Sequence, residues 1–274
     1  MKIFYWSPFF TNIATIKAVI KSAESLVKFK KGKKYDVSLI DAIGEWDPYN
    51  GLIDNNIDII KLNKIKLIKY LPKNSYIKSR FSYIVIFLWN FFGLKNLINK
   101  EQPDFLIIHL MTSLPIFLTL FFNKNTKIIL RISGFPKINF FRYFFWKIFS
   151  KKIYKITCPT KSTYNYIIKK KLFNEKKLEI LSDPIIDMKQ FRIKKNESLN
   201  DQELKNKKYL IGIGRLTKQK NFGLMINFFK NVLVTNPDLN LVIIGEGENE
   251  NDLKKLSMNY HIKEKIHFLG YQKN

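Results

Sequence analysis

Cysteine is nearly absent from this chain of 274 residues: Cys158 stands alone. No intrachain disulfide and no cysteine-based zinc site can form, and such thiol usage fits a reducing compartment. Arginine is scarce as well. Arg80, Arg131, Arg142, Arg192 and Arg215 are the only arginines among 48 basic residues, and the lysines are scattered through every segment. A nucleic-acid reader would cluster arginine for base edges and phosphates, so no nucleic-acid partner is expected and most of the lysine reads as solvated surface. Acidic residues number 22, which leaves a formal charge of +26. That excess favours an anionic partner of another kind, a phosphorylated substrate or an acidic membrane surface. Long apolar runs are missing too. The nearest to a membrane span, "FLIIHLMTSLPIFLTLFF" from Phe105 to Phe122, is broken by His109, Thr112, Ser113 and Pro115 and reads as a buried strand, a turn and a core helix. The start, "MKIFYWSPFF", has no small-residue cleavage site after its short apolar run, against the expectation for a signal peptide.

What is present is material for two buried cores, since 46% of the residues are hydrophobic. Short runs rich in Ile, Val and Phe alternate with segments of helical spacing. "KIFYWS", "DVSLIDA", "FLIIHL", "KIILRIS", "KITCPT" and "KLEILS" read as strands, and residues 13–29, 76–99, 140–150 and 162–172 as helices. Strands apolar on both faces that alternate with helices imply an α/β fold with parallel sheets. Residues 191–208 are polar and without periodicity, so they read as a linker between domains at 1–190 and 209–274. The second domain repeats the theme with strands "YLIGIG", "NLVIIGEG" and "KIHFLGY" and two helices between them.

The turn "GIGRLTKQKN" joins the first of these strands to a helix on which Phe222, Met225, Ile226, Phe229, Val232 and Leu233 share one face. A strand-to-helix turn directs free backbone N–H groups and the positive end of the helix dipole at one place, which suits an anion. Arg215 and Lys220 add a planar fork and a mobile point charge, both matched to phosphate oxygens. Gly212 and Gly214 have the spacing of a dinucleotide fingerprint, but Thr217 replaces its third glycine and Glu246 lies too far on for the ribose-binding acid.

The ordered set "GIGRLTKQKNFGLMINFF", "NPDLNLVIIGEGENENDLKKL" and "KIHFLGY" resembles the nucleotide-sugar half of retaining glycosyltransferases of family 4, and "QPDFLIIHL", "KIILRISGFPK", "KITCPTKSTYNYI" and "LEILSDPIIDMKQF" extend the likeness into the first half. The resemblance implies a GT-B architecture of two Rossmann-like domains, with donor bound by the second and acceptor mostly by the first. It implies a hexosyltransferase that moves sugar from a nucleotide diphosphate to a glycan or lipid-linked acceptor in surface polysaccharide biosynthesis. Such an enzyme would be cytoplasmic or peripheral to the inner membrane face. Gly214, Arg215, Lys220, Gly245 and Glu246 would hold the donor, with Arg215 and Lys220 stabilising charge on the leaving phosphate. No cofactor and no metal is expected, since no Asp-x-Asp pair occurs in the chain.

The first loop, "SPFFTNIAT", lacks the glycines that many members carry, which leaves Thr11, Asn12 and Thr15 as cleft candidates. Ser133 and Gly134 stand where many members have a His near the transferred sugar, and His109 ends the preceding strand. His109 either touches ligand or serves structure. Glu246 either contacts the donor ribose or shapes its turn. The aromatic, basic segment 138–152 is either a core helix or one resting among lipid headgroups. The second sheet, with three strands before Asn274, reads as incomplete, and a shortened chain would show weak donor affinity and no transfer. Two rival functions remain, a dinucleotide-dependent oxidoreductase and a non-catalytic basic protein that binds membrane or nucleic acid.

Overall fold

Runs of Ile, Val, Leu and Phe that need burial on both faces can satisfy their backbone only by pairing with like neighbours, and they do so in two parallel sheets. The computed structural model describes residues 1–9, 14–29, 32, 34–72, 76–122, 125–136, 138–197, 204 and 207–272. The chain divides into two compact units, Met1–Met188 and Lys189–Asn274.

In chain order the first unit comprises β1 (Lys2–Trp6), α1 (Ala14–Lys28), β2 (Asp36–Asp41), β3 (Asp58–Lys61), α2 (Tyr76–Glu101), β4 (Phe105–Ile108), α3 (Ser113–Phe121), β5 (Lys127–Arg131), α4 (Phe140–Phe149), β6 (Lys155–Cys158), α5 (Lys161–Lys169) and β7 (Leu178–Ile180). All seven strands are parallel, in the order β3-β2-β1-β4-β5-β6-β7. The order reverses direction between β1 and β4, and in open α/β sheets ligands bind beyond the strand ends at such a reversal. β3 was not among the expected strands. It is a four-residue edge strand with no fully buried position, so it carries too little apolar signal to stand out.

One face of this sheet packs Phe4, Trp6, Leu106, Ile108, Leu130 and Ile156 against α2, α3, α4 and α5. The other packs Ile3, Tyr5, Val37 and Leu39 against Ile16, Val19, Ile20 and Ala23 of α1. Trp6 and Trp46 can be wholly buried because their N–H groups find carbonyls: Trp6 Nε1 donates to Met111 O and Trp46 Nε1 to Ile40 O, each at 3.1 Å. Cys158 is buried at the end of β6, and burial pushes its thiol up to about 11.

α6 (Met188–Lys195) starts at the last residue of the first unit and runs into the second, so the first residues of the segment read as linker continue a helix. None of its residues is buried, and without an apolar stripe its sequence gave no helical period to detect. Then follow β8 (Tyr209–Ile213), α7 (Phe222–Thr235), β9 (Asn240–Ile244), α8 (Glu250–Asn259) and β10 (Ile266–Phe268). They form a parallel sheet in the order β10-β9-β8. Phe222, Ile226 and Phe229 of α7 meet Leu241 and Ile243 of β9 in its core.

Candidate active site

The turn between β8 and α7 is fixed by the residue after Arg215. Leu216 is fully buried in the core of the second unit, its N–H donates to Glu246 O at 2.9 Å, and its carbonyl accepts from Asn249 N at 3.0 Å. With Leu216 anchored inward, Arg215 is left exposed on the opposite side. The backbone then winds tightly, with Lys220 N and Asn221 N both donating to Thr217 O. Asn221 enters the helix in the left-handed region at φ 51° and gives α7 no side-chain cap. Lys220 is also exposed, and its Cδ passes 3.9 Å from where a Cβ on Gly214 would stand. Neither cation makes an ion pair or a side-chain hydrogen bond among the described residues. Two uncommitted cations therefore flank an uncapped helix start, an arrangement built to receive an anion.

The loop after β9 presses on this turn. Gly245 lies at φ +136°, and a Cβ there would fall 1.9 Å from Gly214 O; a Cβ on Gly247 would fall 2.4 Å from Leu216 O. Only glycine permits this approach. Gly214 N donates to Ile244 O and Gly245 N to Gly270 O, which holds the ends of all three strands together. Glu246 is exposed, and its Oε1 accepts from Tyr271 N at 3.3 Å. Its carboxylate thus has one structural bond, while its second oxygen makes none among the described residues. Thr217 was passed over as a stand-in for a glycine, yet its Oγ1 is buried inside this turn without a partner among the described residues. Only its place between Arg215 and Lys220 could have flagged it. A cavity elsewhere in this unit, lined by Lys254, Ser257, Met258, Ile266 and Phe268, holds neither Arg215 nor Lys220.

In the first unit a row of polar residues closes the strand ends. Ser7 and His109 follow Trp6 and Ile108, which are register partners at the reversal of strand order. Both side chains are buried and lack hydrogen-bond partners among the described residues: Ser7 Oγ, His109 Nδ1 and His109 Nε2. His109 is 4% exposed and lies against Tyr5 with ring centroids 6.0 Å apart. Burial, reinforced by the charge of Arg131, pushes its pKa down to about 3, so the ring is neutral. Arg131, at the end of β5, is bound to Asp183, to Thr157 Oγ1 at 3.2 Å and to Leu181 O at 2.8 Å. Ser133 and Gly134 lie just beyond, both exposed, with Gly134 at φ +91°. Thr11 and Asn12 lie outside the described residues. Ser7 was missed because its neighbour at the reversal appears only once strand order is known. Beyond β2, the buried Glu45 carboxylate accepts from Ile43 N at 2.7 Å, and burial together with Asp41 raises its pKa well above the usual range. Among the described residues no three His, Cys, Asp or Glu side chains gather as a metal site would.

Residues 194–274 match the family model of glycosyl transferases, group 1. That span holds every residue expected above to hold the donor. An uncharacterized glycosyltransferase of Methanocaldococcus jannaschii is 38% identical over 82 residues, 29% of this chain and 20% of that protein. The N-acetylgalactosamine-N,N'-diacetylbacillosaminyl-diphospho-undecaprenol 4-alpha-N-acetylgalactosaminyltransferase of Campylobacter jejuni is 27% identical over 161 residues, 56% of this chain and 42% of that one. The chain thus matches less than half the length of either curated relative. Among solved structures, the apo lipopolysaccharide outer core galactosyltransferase WaaB superposes with a TM-score of 0.62 at 12% identity, covering 100% of this chain and 69% of that one. The α/β fold is that of the GT-B glycosyltransferases. It is shared with a UDP-GlcNAc 2-epimerase of Neisseria meningitidis, at a TM-score of 0.60 and 17% identity over 100% of this chain and 72% of that one. Fold alone therefore does not separate transfer from epimerisation.

Proposed function

We propose that this protein is a retaining, metal-independent hexosyltransferase of family 4 that uses a nucleotide-diphosphate sugar and acts on a glycan or lipid-linked acceptor. Its setting is surface polysaccharide assembly at the cytoplasmic face of the membrane. The observation that carries this reading is the exposed, unpaired pair Arg215 and Lys220 at the uncapped start of α7. In the reaction the bond from the anomeric carbon to the diphosphate breaks and one to the acceptor hydroxyl oxygen forms. That hydroxyl's proton is released to solvent, and the leaving nucleoside diphosphate gains the negative charge. Arg215 and Lys220 meet that charge where a metal ion would otherwise be needed. Glu246 has an oxygen free for the donor ribose, and Thr217 a hydroxyl for the diphosphate. The lipid-linked acceptor is suggested by the Campylobacter relative, whose name specifies one.

The test is a thermal-shift panel followed by calorimetry. A nucleoside diphosphate should raise the melting temperature and a nicotinamide dinucleotide should not. Arg215→Ala and Lys220→Ala should each weaken nucleoside diphosphate binding by on the order of 2 kcal/mol while the protein stays folded. Unchanged affinity in both variants would remove the donor assignment. Protection by a nicotinamide dinucleotide would favour an oxidoreductase. The epimerase likeness supports a second reading, which NMR of the recovered sugar separates: inversion at one carbon of an untransferred sugar would replace the transferase reading.

A further inference from the structure

Between Phe81 and Phe92 the outward side of α2 carries no polar stripe. Its inward stripe, Ser82, Ile86, Asn90, Leu94 and Ile98 at four-residue spacing, is buried on the first sheet. Asn63 Nδ2 donates to Asn90 Oδ1 at 2.9 Å and ties the helix to the segment after β3. A helix packed this way ordinarily turns charged side chains to water. Here Phe81, Ile84, Leu88 and Phe92 face solvent, Leu88 67% and Phe92 71% exposed, and no charged residue occurs from Phe81 to Leu94. α4 repeats the pattern, with Phe140, Phe141, Phe144 and Ile148 exposed and Trp146 its buried residue. The two helices are neighbours, since Arg142 of α4 lies within electrostatic range of Arg80 and Tyr83 of α2.

Cations frame this apolar area. Arg80 precedes the uncharged stretch of α2, and Lys95 follows it with its ammonium 4.1 Å from the centre of the Phe122 ring. Arg142 and Lys147 lie along α4, and between Ile59 and Asn174 the only acidic residues are Glu101 and Asp104. An exposed apolar patch of this kind marks a contact surface. We propose that α2 and α4 together form a docking face for an anionic lipid bilayer and lie in its headgroup region without crossing it. By length and composition α2 is able to cross a membrane. Its inward stripe is committed to the sheet, however, so lipid reaches one side only. Charge selects the occupant. Anionic headgroups neutralise the framing arginines and lysines, whereas a second copy of this chain would set the same cations against one another.

The inference extends the lipid-linked-acceptor reading but stands on this surface alone. Vesicle binding measured without sugar nucleotide can therefore fail while the transferase reading survives, and the reverse. The full chain should sediment with phosphatidylcholine vesicles holding about 30 mol% phosphatidylglycerol and far less with phosphatidylcholine alone, and binding should fall as salt rises. Leu88→Gln combined with Phe92→Gln should lower partitioning about tenfold or more with circular dichroism and melting temperature unchanged. Lipids brominated near the headgroup should quench a fluorescence component that Trp89→Phe removes, since Trp89 is exposed on α2. Three results would overturn the proposal: no sedimentation of the unmodified chain, equal sedimentation of the double variant, or a dimer broken by that variant without any vesicle binding.

Discussion

His109 and Glu45 are buried titratable side chains whose surroundings oppose their charged forms, and each leaves a signature in stability against pH. His109 stays neutral in the folded protein, its pKa depressed from 6.5 to about 3, while in the unfolded chain it takes a proton near 6.5. Its contribution is whole above the unfolded value and is lost as pH falls from 6.5 towards 3, by up to about 1.4 kcal/mol per pH unit. His109→Phe keeps the packing against Tyr5 and removes that loss. The difference in melting temperature between variant and parent should therefore grow in favour of the variant below pH 6.5, as differential scanning calorimetry would record; a constant difference would mean that the ring is solvated. Glu45 has the opposite slope, because its folded pKa is raised from 4.5. The folded state binds its proton more tightly, so stability declines as pH climbs past 4.5. Glu45→Gln, with one acceptor for Ile43 N and a permanent donor in place of the acid proton, should stabilise at pH 7 and lose that gain at pH 4.

At the scale of elements, the contact between the Gly245 to Gly247 loop and the β8 to α7 turn decides whether the proposed donor side can form. Gly245→Ala places a methyl group inside the carbonyl of Gly214 and should cost on the order of 2 kcal/mol or more. Hydrogen exchange should quicken across β8 and β9, and calorimetry should show nucleoside diphosphate affinity falling with it. Gly223→Ala in α7 is the control, since its Cβ would meet Leu256 and Leu253 only at 3.7 and 3.9 Å; equal effects of the two substitutions would dismiss the close-approach argument. Here the sequence was readable. The motif "GIGRLT" runs from the end of β8 into the turn, and "GEGE" sits on a loop, because glycines and an apolar anchor at those spacings leave the backbone little choice. Phe105 to Phe122 likewise divides into β4 and α3 at the break expected from His109 to Pro115. What could not be read is which apolar face of a helix stays wet. α2 is apolar all round, so periodicity carries no orientation, and only packing separates the Ile86 side from the Leu88 side. That Ser7 and His109 lie side by side was hidden for a related reason, because strand order is not written in any single strand.

For the molecule as a whole the dominant quantity is charge. A formal +26 repels itself in the compact state, and added salt screens that repulsion over a Debye length of about 10 Å at 0.1 M. The melting temperature should therefore rise with sodium chloride before it levels off, and a fall would mean that ion pairs such as Lys66 with Asp47 and Lys2 with Glu101 outweigh the repulsion. One further property concerns the single thiol at the end of β6. Buried and with its pKa pushed up to about 11, Cys158 offers almost no thiolate at neutral pH. The folded protein is therefore silent to thiol reagents. A cysteine introduced at any exposed position would be the one reactive sulfur in the chain, so a spin label or fluorophore could be placed on α7 or α2 without first removing a native residue, and its signal would report from that site alone.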